Sequence, residues 1–351
     1  MSPTPPPHPE HKLALMGFGN VGQAFLELLL EKQSDLIRDP GLSFRVVGIA
    51  SGSHGRAINP AGLPLRDLLD AYQKGKSLDD FTTSPLSGSE DFIQSCGADA
   101  LVEATPVDYK TGEPALGYLQ EAIRLGMHAI TANKGPVVHG YRELTNLAQR
   151  KGVSFYFESA VMDGAPVFSI ARCGLPGAIV QGFSGVLNST TNLILTRMEE
   201  GETQEESIAY AQSIGIAESD PSGDVDGWDA AVKVAALVTV LMDIPLLPEQ
   251  VDRTGIRCLT PDLIQDAAKQ GKRWKLICDA ARDPQSPRGV SASVQPRMVD
   301  QGSTFYHVSG TSAILEISSD VLGNLTLIEE NPSPRTTAYG LLADLLNALK
   351  E

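Results

Sequence analysis

Short apolar runs alternate with amphipathic stretches along the first third of the chain. The runs at residues 13–16, 44–50, 100–103 and 128–131 predict buried strands, and the segments between them show the period of helices. A helix after each strand returns the chain to the same end of the sheet, so consecutive strands pair in parallel. The pattern predicts an α/β fold with a doubly wound parallel sheet.

The pattern changes after residue 136. Strands are predicted at 153–158 and 178–187, and helical periodicity then dominates to about residue 247. The later strands are separated by turn signals, which predicts a mainly antiparallel sheet. They are expected at 290–294, 304–308, 312–318 and 325–329, followed by a helix at 336–349.

The length of the chain predicts two domains. One hydrophobic core rarely serves more than about 250 to 300 residues, and this chain has 351. We expect a parallel-sheet domain at 12–136, which residues 333–351 complete, and a second α+β domain at 137–332. A Pro-rich run near the start predicts a mobile tail at 1–11.

Charge and composition exclude several kinds of partner. The net charge is -15 and the sequence pI is about 4.8, so most of the surface repels a phosphate backbone and nucleic acid is not expected. No apolar segment is long enough to span a membrane, and the first residues lack the apolar core of a signal peptide. We therefore expect a cytoplasmic protein whose partner is a small molecule.

A glycine-rich turn follows the first predicted strand and opens a helix. That context is typical of a dinucleotide fingerprint in a Rossmann domain: one glycine permits the turn, one admits the pyrophosphate and one allows close helix packing. A tight turn without a ligand is the alternative. The candidate cofactor contacts are Gly17, Phe18, Gly19, Asn20, Val21 and Gly22.

The second strand ends without the acid that NAD-selective proteins often place there. Ser51 can bond a 2′-phosphate and Arg56 can neutralise it, which favours NADP slightly over NAD. The alternative for Arg56 is a solvated loop position. Thr105, Pro106 and Lys134 follow two later strands, at the sheet edge where such folds bind ligands. Lys134 is a candidate for substrate binding or proton transfer, or an ordinary turn lysine.

A polar cluster at 218–229 precedes an apolar helix. Asp229 and Lys233 are four residues apart and share one helix face. A lysine on a buried helix must be paired or functional, whereas an exposed ion pair is the alternative. Asn188 and Thr190, where another helix starts, suit either helix capping or substrate contact.

A Gly/Pro turn at 158–166 follows the strand predicted at 153–158. Exposed carbonyl groups and a carboxylate in such a turn can hold a hard cation, and a plain turn is the alternative.

Taken together, these blocks resemble the homoserine dehydrogenase family over nearly the whole length after the tail, in its short form without a regulatory domain. The resemblance implies reversible NAD(P)H-dependent reduction of L-aspartate 4-semialdehyde to L-homoserine, a step toward threonine, methionine and isoleucine. It also implies a homodimer.

The resemblance further implies roles for individual residues. Lys233 would transfer the proton, with Asp229 orienting it and Lys134 assisting. Glu218 would meet the substrate amino group, with Asp224 nearby. A sodium site, mostly of backbone carbonyl groups, would lie at Glu158, Val161, Asp163 and Ala165.

Two rivals remain open at this point. One is a related dehydrogenase acting on another small amino-acid or oxo-acid substrate, and the other is a dinucleotide sensor without turnover. A sensor needs no acid or base beside the nicotinamide, so the polar cluster with Lys233 favours an enzyme.

Overall fold

The computed structural model describes residues 9–39 and 41–350. Two compact units divide the chain: one runs to Gly164 and resumes at Pro334, and the other spans Ala165–Ser333. Residues 1–8 of the predicted tail lie outside the described residues. Its last two residues, Glu10 and His11, belong instead to the first strand.

The first unit contains a six-stranded sheet in the order β3-β2-β1-β4-β5-β6. All neighbours pair in parallel except β2 and β3, which are antiparallel. The strands are β1 (Glu10–Met16), β2 (Ser43–Ala50), β3 (Arg56–Ile58), β4 (Ala100–Glu103), β5 (His128–Thr131) and β6 (Phe155–Tyr156). The predicted doubly wound Rossmann sheet is confirmed.

Five helices connect these strands, and a sixth comes from the end of the chain. The C-terminal helix, Pro334–Ala348, buries Leu341 and Leu345 in one core with Leu13 of β1 and Phe25 of the first helix. The connecting helices are α1 (Asn20–Arg38), α2 (Leu65–Gln73), α3 (Ser89–Ser95), α4 (Ala115–Arg124) and α5 (Lys134–Lys151), with 3-10 helices at Leu78–Phe81 and Glu158–Ala160.

The boundary predicted at residue 136 is wrong. It falls inside α5, and β6 follows this helix and pairs in parallel with β5. Since β6 extends the parallel sheet, the unit continues to Gly164. Of the predicted end segment, 333–351, Ser333 belongs to the second unit and residues 334–350 belong to this one.

The second unit contains a sheet in the order β12-β11-β7-β9-β10-β8. Its pairs are antiparallel except β8 with β10. The strands are β7 (Val180–Val186), β8 (Asp252–Arg253), β9 (Lys272–Arg282), β10 (Val290–Asp300), β11 (Ala313–Ser319) and β12 (Gly323–Glu329). The predicted mainly antiparallel sheet is correct, but β9 has no counterpart in the sequence prediction.

The helices of this unit include a nearly all-apolar one that packs on β9 and β10. This helix buries ten of its residues. The helices are α6 (Val167–Ser169), α7 (Ser189–Glu199), α8 (Gln204–Ser213), α9 (Ser222–Val225), α10 (Trp228–Leu241) and α11 (Pro261–Lys269), with a π turn at Ile170–Gly174 and a 3-10 helix at Pro248–Gln250. The apolar helix is α10.

The strand predicted at 304–308 is wrong. Thr304–His307 forms a 3-10 helix, because the Ser303 hydroxyl accepts a hydrogen bond from the Phe305 amide at 3.3 Å and caps the turn.

Candidate active site

A tight turn joins β1 to α1 and leaves open space above it. Gly17 adopts φ +99°, and a Cβ on this residue would lie 2.5 Å from the backbone of Ala104. A Cβ on Gly22 would lie 2.3 Å from the Gly17 carbonyl oxygen, whereas one on Gly19 would meet no atom within 4 Å. The packing of the turn requires Gly17 and Gly22, whereas Gly19 leaves the backbone accessible to a ligand.

The start of α1 has the properties of an anion site. Gly19 occupies the N-cap without a side-chain hydrogen bond, and the first turn holds no acidic residue. The amides that open the helix at Asn20 and Val21 therefore carry the positive end of its dipole. The Phe18 ring is buried and packs on Tyr72, with ring centroids 4.8 Å apart. A pyrophosphate fits this turn through backbone groups, not through the Phe18 ring.

The loop after β2 holds the predicted ribose contacts. The Ser51 amide donates to the Gly55 carbonyl at 2.9 Å, and Arg56 begins β3. The Arg56 amide donates to Asp79 Oδ1 at 2.8 Å. Asp79 comes 23 residues later in the chain, so the strand-end pattern gave no sign of this carboxylate. An acid therefore lies beside this loop after all.

A buried carboxylate organises the carboxyl ends of β4 and β5. Glu103 is fully buried and accepts hydrogen bonds from the Thr105 amide, at 2.6 Å, and from the hydroxyls of Thr105 and Thr131. Burial raises the pKa of Glu103, while these hydrogen bonds lower it. The acid holds the two strand ends in a fixed arrangement.

The same edge carries the predicted Lys134. The Asn133 side-chain amide donates to the carbonyl groups of Thr105 and Pro106 at 3.2 and 3.4 Å, and its oxygen caps α5. Lys134 is the first residue of that helix and is partly buried. Thr105, Pro106 and Lys134 are thus brought to one edge, as predicted.

In the second unit, one cluster joins the start of α7 to the start of α10. Asn188 caps α7, since its side-chain oxygen accepts from the Thr191 amide at 2.8 Å. Its Nδ2 donates to Asp224 Oδ1 at 2.6 Å and to Asp229 Oδ2 at 3.0 Å. Lys233 Nζ lies 3.3 Å from the same Asp229 oxygen. Asn188 therefore both caps the helix and holds two acids of the cluster.

Lys233 is held by two acceptors in a mostly buried position. Its Nζ donates to the Leu187 carbonyl oxygen at 2.6 Å and pairs with Asp229. Only 14% of the Lys233 side chain is exposed, which rules out the surface ion pair considered from the spacing.

Asp224 is the acid whose titration this cluster changes most clearly. Burial raises the pKa of Asp224, and the charge of Asp229 raises it further. Hydrogen bonds from Asn188 and Thr190 lower it, and the attraction of Lys233 does so as well. A carboxyl group that keeps its proton to higher pH, beside a lysine, suits proton transfer.

Glu218 does not join this cluster. Its side chain is exposed, and its carbonyl oxygen accepts from Gln212 Nε2 at 3.0 Å. No hydrogen bond or ion pair links the Glu218 carboxylate to Asp224, Asp229 or Lys233 within residues 9–39 and 41–350.

The predicted cation turn is tied to the C-terminal helix. The Glu158 amide donates to Asp344 Oδ2 at 2.6 Å, and the Thr337 hydroxyl donates to Asp163, whose φ is +40°. Val161 is buried in the same unit. Ala165 is the first residue of the second unit, and its carbonyl accepts from the Val167 amide at 2.8 Å. The described residues hold no group of three or more His, Cys, Asp or Glu suited to a metal.

Besides Asp79, the sequence analysis did not identify the Leu187 carbonyl or Glu103 as functional candidates. The Leu187 acceptor is a backbone carbonyl, and no residue pattern reveals which carbonyl a lysine will reach. Glu103 did carry a signal, because a carboxylate ending an apolar strand must find buried donors.

Comparisons with known proteins bear on both units. Residues 17–158 match the family model "Homoserine dehydrogenase, NAD binding domain", and residues 166–346 match the model "Homoserine dehydrogenase". The NAD(+)-dependent homoserine dehydrogenase of Pseudomonas canavaninivorans is 34% identical, over 96% of this chain and 96% of that protein. Within the described residues, no helix is long and apolar enough to cross a membrane.

Solved structures of homoserine dehydrogenases have the same fold as this chain. A putative homoserine dehydrogenase from Archaeoglobus fulgidus has a TM-score of 0.84 at 30% identity, covering 96% of this chain and 98% of that one. A hyperthermophilic archaeal homoserine dehydrogenase in complex with NADPH has a TM-score of 0.81 at 27% identity, covering 98% and 99%. With two family models that together span most of its length, this chain belongs to the homoserine dehydrogenase family of NAD(P)-dependent oxidoreductases.

Proposed function

We propose that this protein interconverts L-homoserine and L-aspartate 4-semialdehyde, the step toward threonine, methionine and isoleucine. The observation that carries the proposal is the pairing of Lys233 with Asp229 and the Leu187 carbonyl at the start of α10. Bound nicotinamide supplies the hydride chemistry. The residues of the chain supply binding, orientation and proton transfer.

Lys233 is the proposed acid and base. As an ammonium group it gives a proton to the substrate oxygen that becomes negative during reduction, and in oxidation it accepts that proton. Asp229 and the Leu187 carbonyl hold its Nζ in one place, which limits the motion that would otherwise slow the transfer.

We assign substrate binding to the polar groups around this pair. Asp224, Asn188 and Thr190 form the hydrogen-bonded wall of the cluster. Glu218 is assigned to the substrate ammonium group, for which its exposed carboxylate is accessible. Lys134 is assigned a supporting role, in proton transfer or in holding the substrate carboxylate.

The cofactor assignment is NADP or NAD, with NADP favoured. Asp79 is a carboxylate beside this loop, and each of its oxygens already accepts one hydrogen bond. Oδ1 accepts from the Arg56 amide at 2.8 Å and Oδ2 from the Ser77 hydroxyl at 3.0 Å. The preference for NADP rests on the charge of the Arg56 guanidinium, which can neutralise a 2′-phosphate. The Pseudomonas relative is named NAD(+)-dependent, so both cofactors must be assayed.

A sodium ion is assigned to the turn containing Glu158, Val161 and Asp163, together with Ala165. Backbone carbonyl groups and one carboxylate are oxygen ligands suited to a hard cation. If sodium binds this site, the rate of homoserine oxidation should be higher in sodium chloride than in potassium chloride.

The deciding experiment is L-homoserine oxidation with NAD and NADP in parallel, in sodium or potassium chloride, followed by the absorbance of the reduced nicotinamide. We expect Lys233→Ala to lower kcat roughly 10²- to 10⁴-fold, the range for a general acid or base. Dinucleotide binding, measured by fluorescence, should change little. Lys269→Ala, at an exposed lysine of the same unit, is the matched control.

If Lys233→Ala oxidises homoserine as fast as the wild type, Lys233 is not the acid and base of the reaction. Dinucleotide binding without turnover of homoserine by either cofactor would overturn the proposed reaction and favour another substrate or a sensor.

A further inference from the structure

The segment 253–258 borders the proposed substrate site but has no part in the proposed chemistry. It lines a cavity of about 280 Å³ together with Asp226, in the turn between α9 and α10, and Trp228, the first residue of α10. That turn lies between Asp224 and Asp229, the two acids that share the Asn188 amide. The position of the turn therefore sets the distance between two carboxylates.

Two arginines of this segment bind the turn. Arg253 donates through Nη1 to the Asp226 carbonyl oxygen, and its guanidinium lies 3.8 Å from the centroid of the Trp228 ring. Arg257 bonds the Asp226 carboxylate through Nε and through Nη2, the latter at 3.3 Å. Backbone and side chain of Asp226 are thus both held.

The backbone of segment 253–258 also contacts the α9–α10 turn. The Ile256 amide donates to the Val225 carbonyl oxygen at 2.9 Å. A Cβ on Gly255 would lie 2.2 Å from that oxygen and 2.6 Å from Asp226 Cα, so only glycine allows this approach. The segment is itself anchored, since the Thr254 amide donates to the Val294 carbonyl of β10 at 2.7 Å.

A physical need for such a restraint is present in the site. Asp224 and Asp229 repel each other, and Asn188 draws both toward one amide group. A turn free to move would relax by separating the two carboxylates. Holding the backbone between them keeps the acids close despite their repulsion.

We propose that Arg253 and Arg257 are positioning residues that hold the α9–α10 turn, and with it Asp224 and Asp229, in the geometry that substrate turnover requires. The proposal rests on the proposed function of the Lys233 site. Neither arginine needs to touch the substrate, and both act through Asp226.

The test compares Arg257→Gln, Arg257→Lys, Arg253→Gln and Gly255→Ala with the wild type. Displacements of about an ångström can cost on the order of 100-fold in rate, so we expect the glutamine variants and Gly255→Ala to lower kcat/KM for homoserine at least tenfold. Arg257→Lys keeps a cation beside Asp226 and should recover part of the loss. Dinucleotide affinity should stay unchanged.

A pH measurement separates positioning from a general loss of stability. The charged neighbours acting on Asp224 are Asp229, which raises its pKa, and Lys233, which lowers it; Arg257 and Asp226 pair with each other. If the turn relaxes and the acids separate, the pKa of Asp224 falls. In Arg257→Gln we expect the acidic limb of the pH profile of kcat/KM to move to lower pH. The titration midpoint of Asp224, followed by carbon-13 NMR of labelled aspartate, should move in the same direction. Asp224→Asn identifies the Asp224 signal.

The outcomes are distinct. Lys269→Gln removes an exposed ion pair with Asp266 and should leave every readout unchanged. Unchanged kcat/KM in the glutamine variants, or an unchanged Asp224 titration, would overturn the positioning role even if the melting temperature falls. If the wild type does not turn over homoserine at all, the proposed function fails, and the Asp224 titration alone decides whether the arginines hold the turn.

Discussion

Among single residues, Lys275 is a lysine that the proposed chemistry leaves unused. It is fully buried on β9, and its ammonium donates to Asn192 Oδ1 at 3.0 Å and to the Val308 carbonyl at 2.7 Å. Burial lowers the pKa of Lys275 to about 8, although the nearby Glu199 carboxylate opposes the shift. The folded protein therefore releases this proton more readily than the unfolded chain does.

This difference predicts how stability changes with pH. Between about pH 8 and the ordinary lysine value of 10.5, the unfolded state binds more protons than the folded state, so the free energy of unfolding rises with pH. The gain is on the order of 3 kcal/mol across that window. Urea unfolding of wild type and Lys275→Met at several pH values isolates this gain: the free energy of unfolding of the wild type should rise relative to that of the variant across the window. A pH-independent difference between the two proteins would contradict the shift.

Residue-scale prediction from sequence succeeded where spacing carries the information. The i,i+4 relation of Asp229 and Lys233 placed them on one helix face, and the structure pairs them. The same reasoning could not reveal Arg253 or Arg257, because their contacts with Asp226 join positions 27 and 31 residues apart. Glu218 was predicted in the same cluster, yet its carboxylate stays outside it.

At the scale of elements, the turn between β1 and α1 allows a sharp contrast between two glycines. Gly17→Ala places a Cβ 2.5 Å from the Ala104 backbone at a positive φ, so we expect a loss of stability of 1 kcal/mol or more, roughly. Gly19→Ala meets no atom within 4 Å and should fold normally, but its methyl group occupies the space assigned to the pyrophosphate.

Thermal unfolding and dinucleotide titration together check this contrast. We expect Gly17→Ala to melt at a lower temperature, and Gly19→Ala to keep the wild-type melting temperature while losing affinity for both dinucleotides. Normal affinity in Gly19→Ala would show that the ligand does not approach this backbone.

The success of element prediction differed between the two units. Strands β1, β2, β4 and β5 are short and rich in buried apolar residues, so apolar runs alone located them. The three-residue edge strand β3 carries no such run and was not predicted. In β9, charged residues such as Lys275 and Asp279 interrupt the apolar side chains, and no run stands out. The domain boundary was predicted too early, near residue 136, for another reason. β6 has only two residues, and the sequence alone does not reveal that it pairs with β5.

At the scale of the whole molecule, the homodimer remains a prediction. One face of the second sheet borders a cavity of about 780 Å³ lined by polar side chains, among them Ser184, Asp279 and Ser318. The Ser184 hydroxyl donates to Asp279, which also pairs with Arg297. We assign this face to a second copy of the chain, with a polar and hydrated interface.

Sedimentation velocity tests the assignment. The wild type should sediment as a dimer, and Ser318→Arg should shift it toward the monomer, because an extra cation would be buried on each side of the interface. Ser213→Arg, at an exposed site on α8, should leave the dimer intact. A dimer that persists in Ser318→Arg would place the interface elsewhere.

The C-terminal helix has a consequence for how the protein is made. Its buried leucines complete the core around β1 and α1, although they are encoded more than 300 residues later, as the pairing of Arg335 with Glu31 across 304 residues illustrates. On the ribosome, the whole segment Ala165–Ser333 emerges before this helix does. The second unit can therefore fold before the nucleotide-binding unit, which needs the helix that begins at Pro334. A ribosome that stalls before Pro334 leaves the apolar face of α1 without this helix.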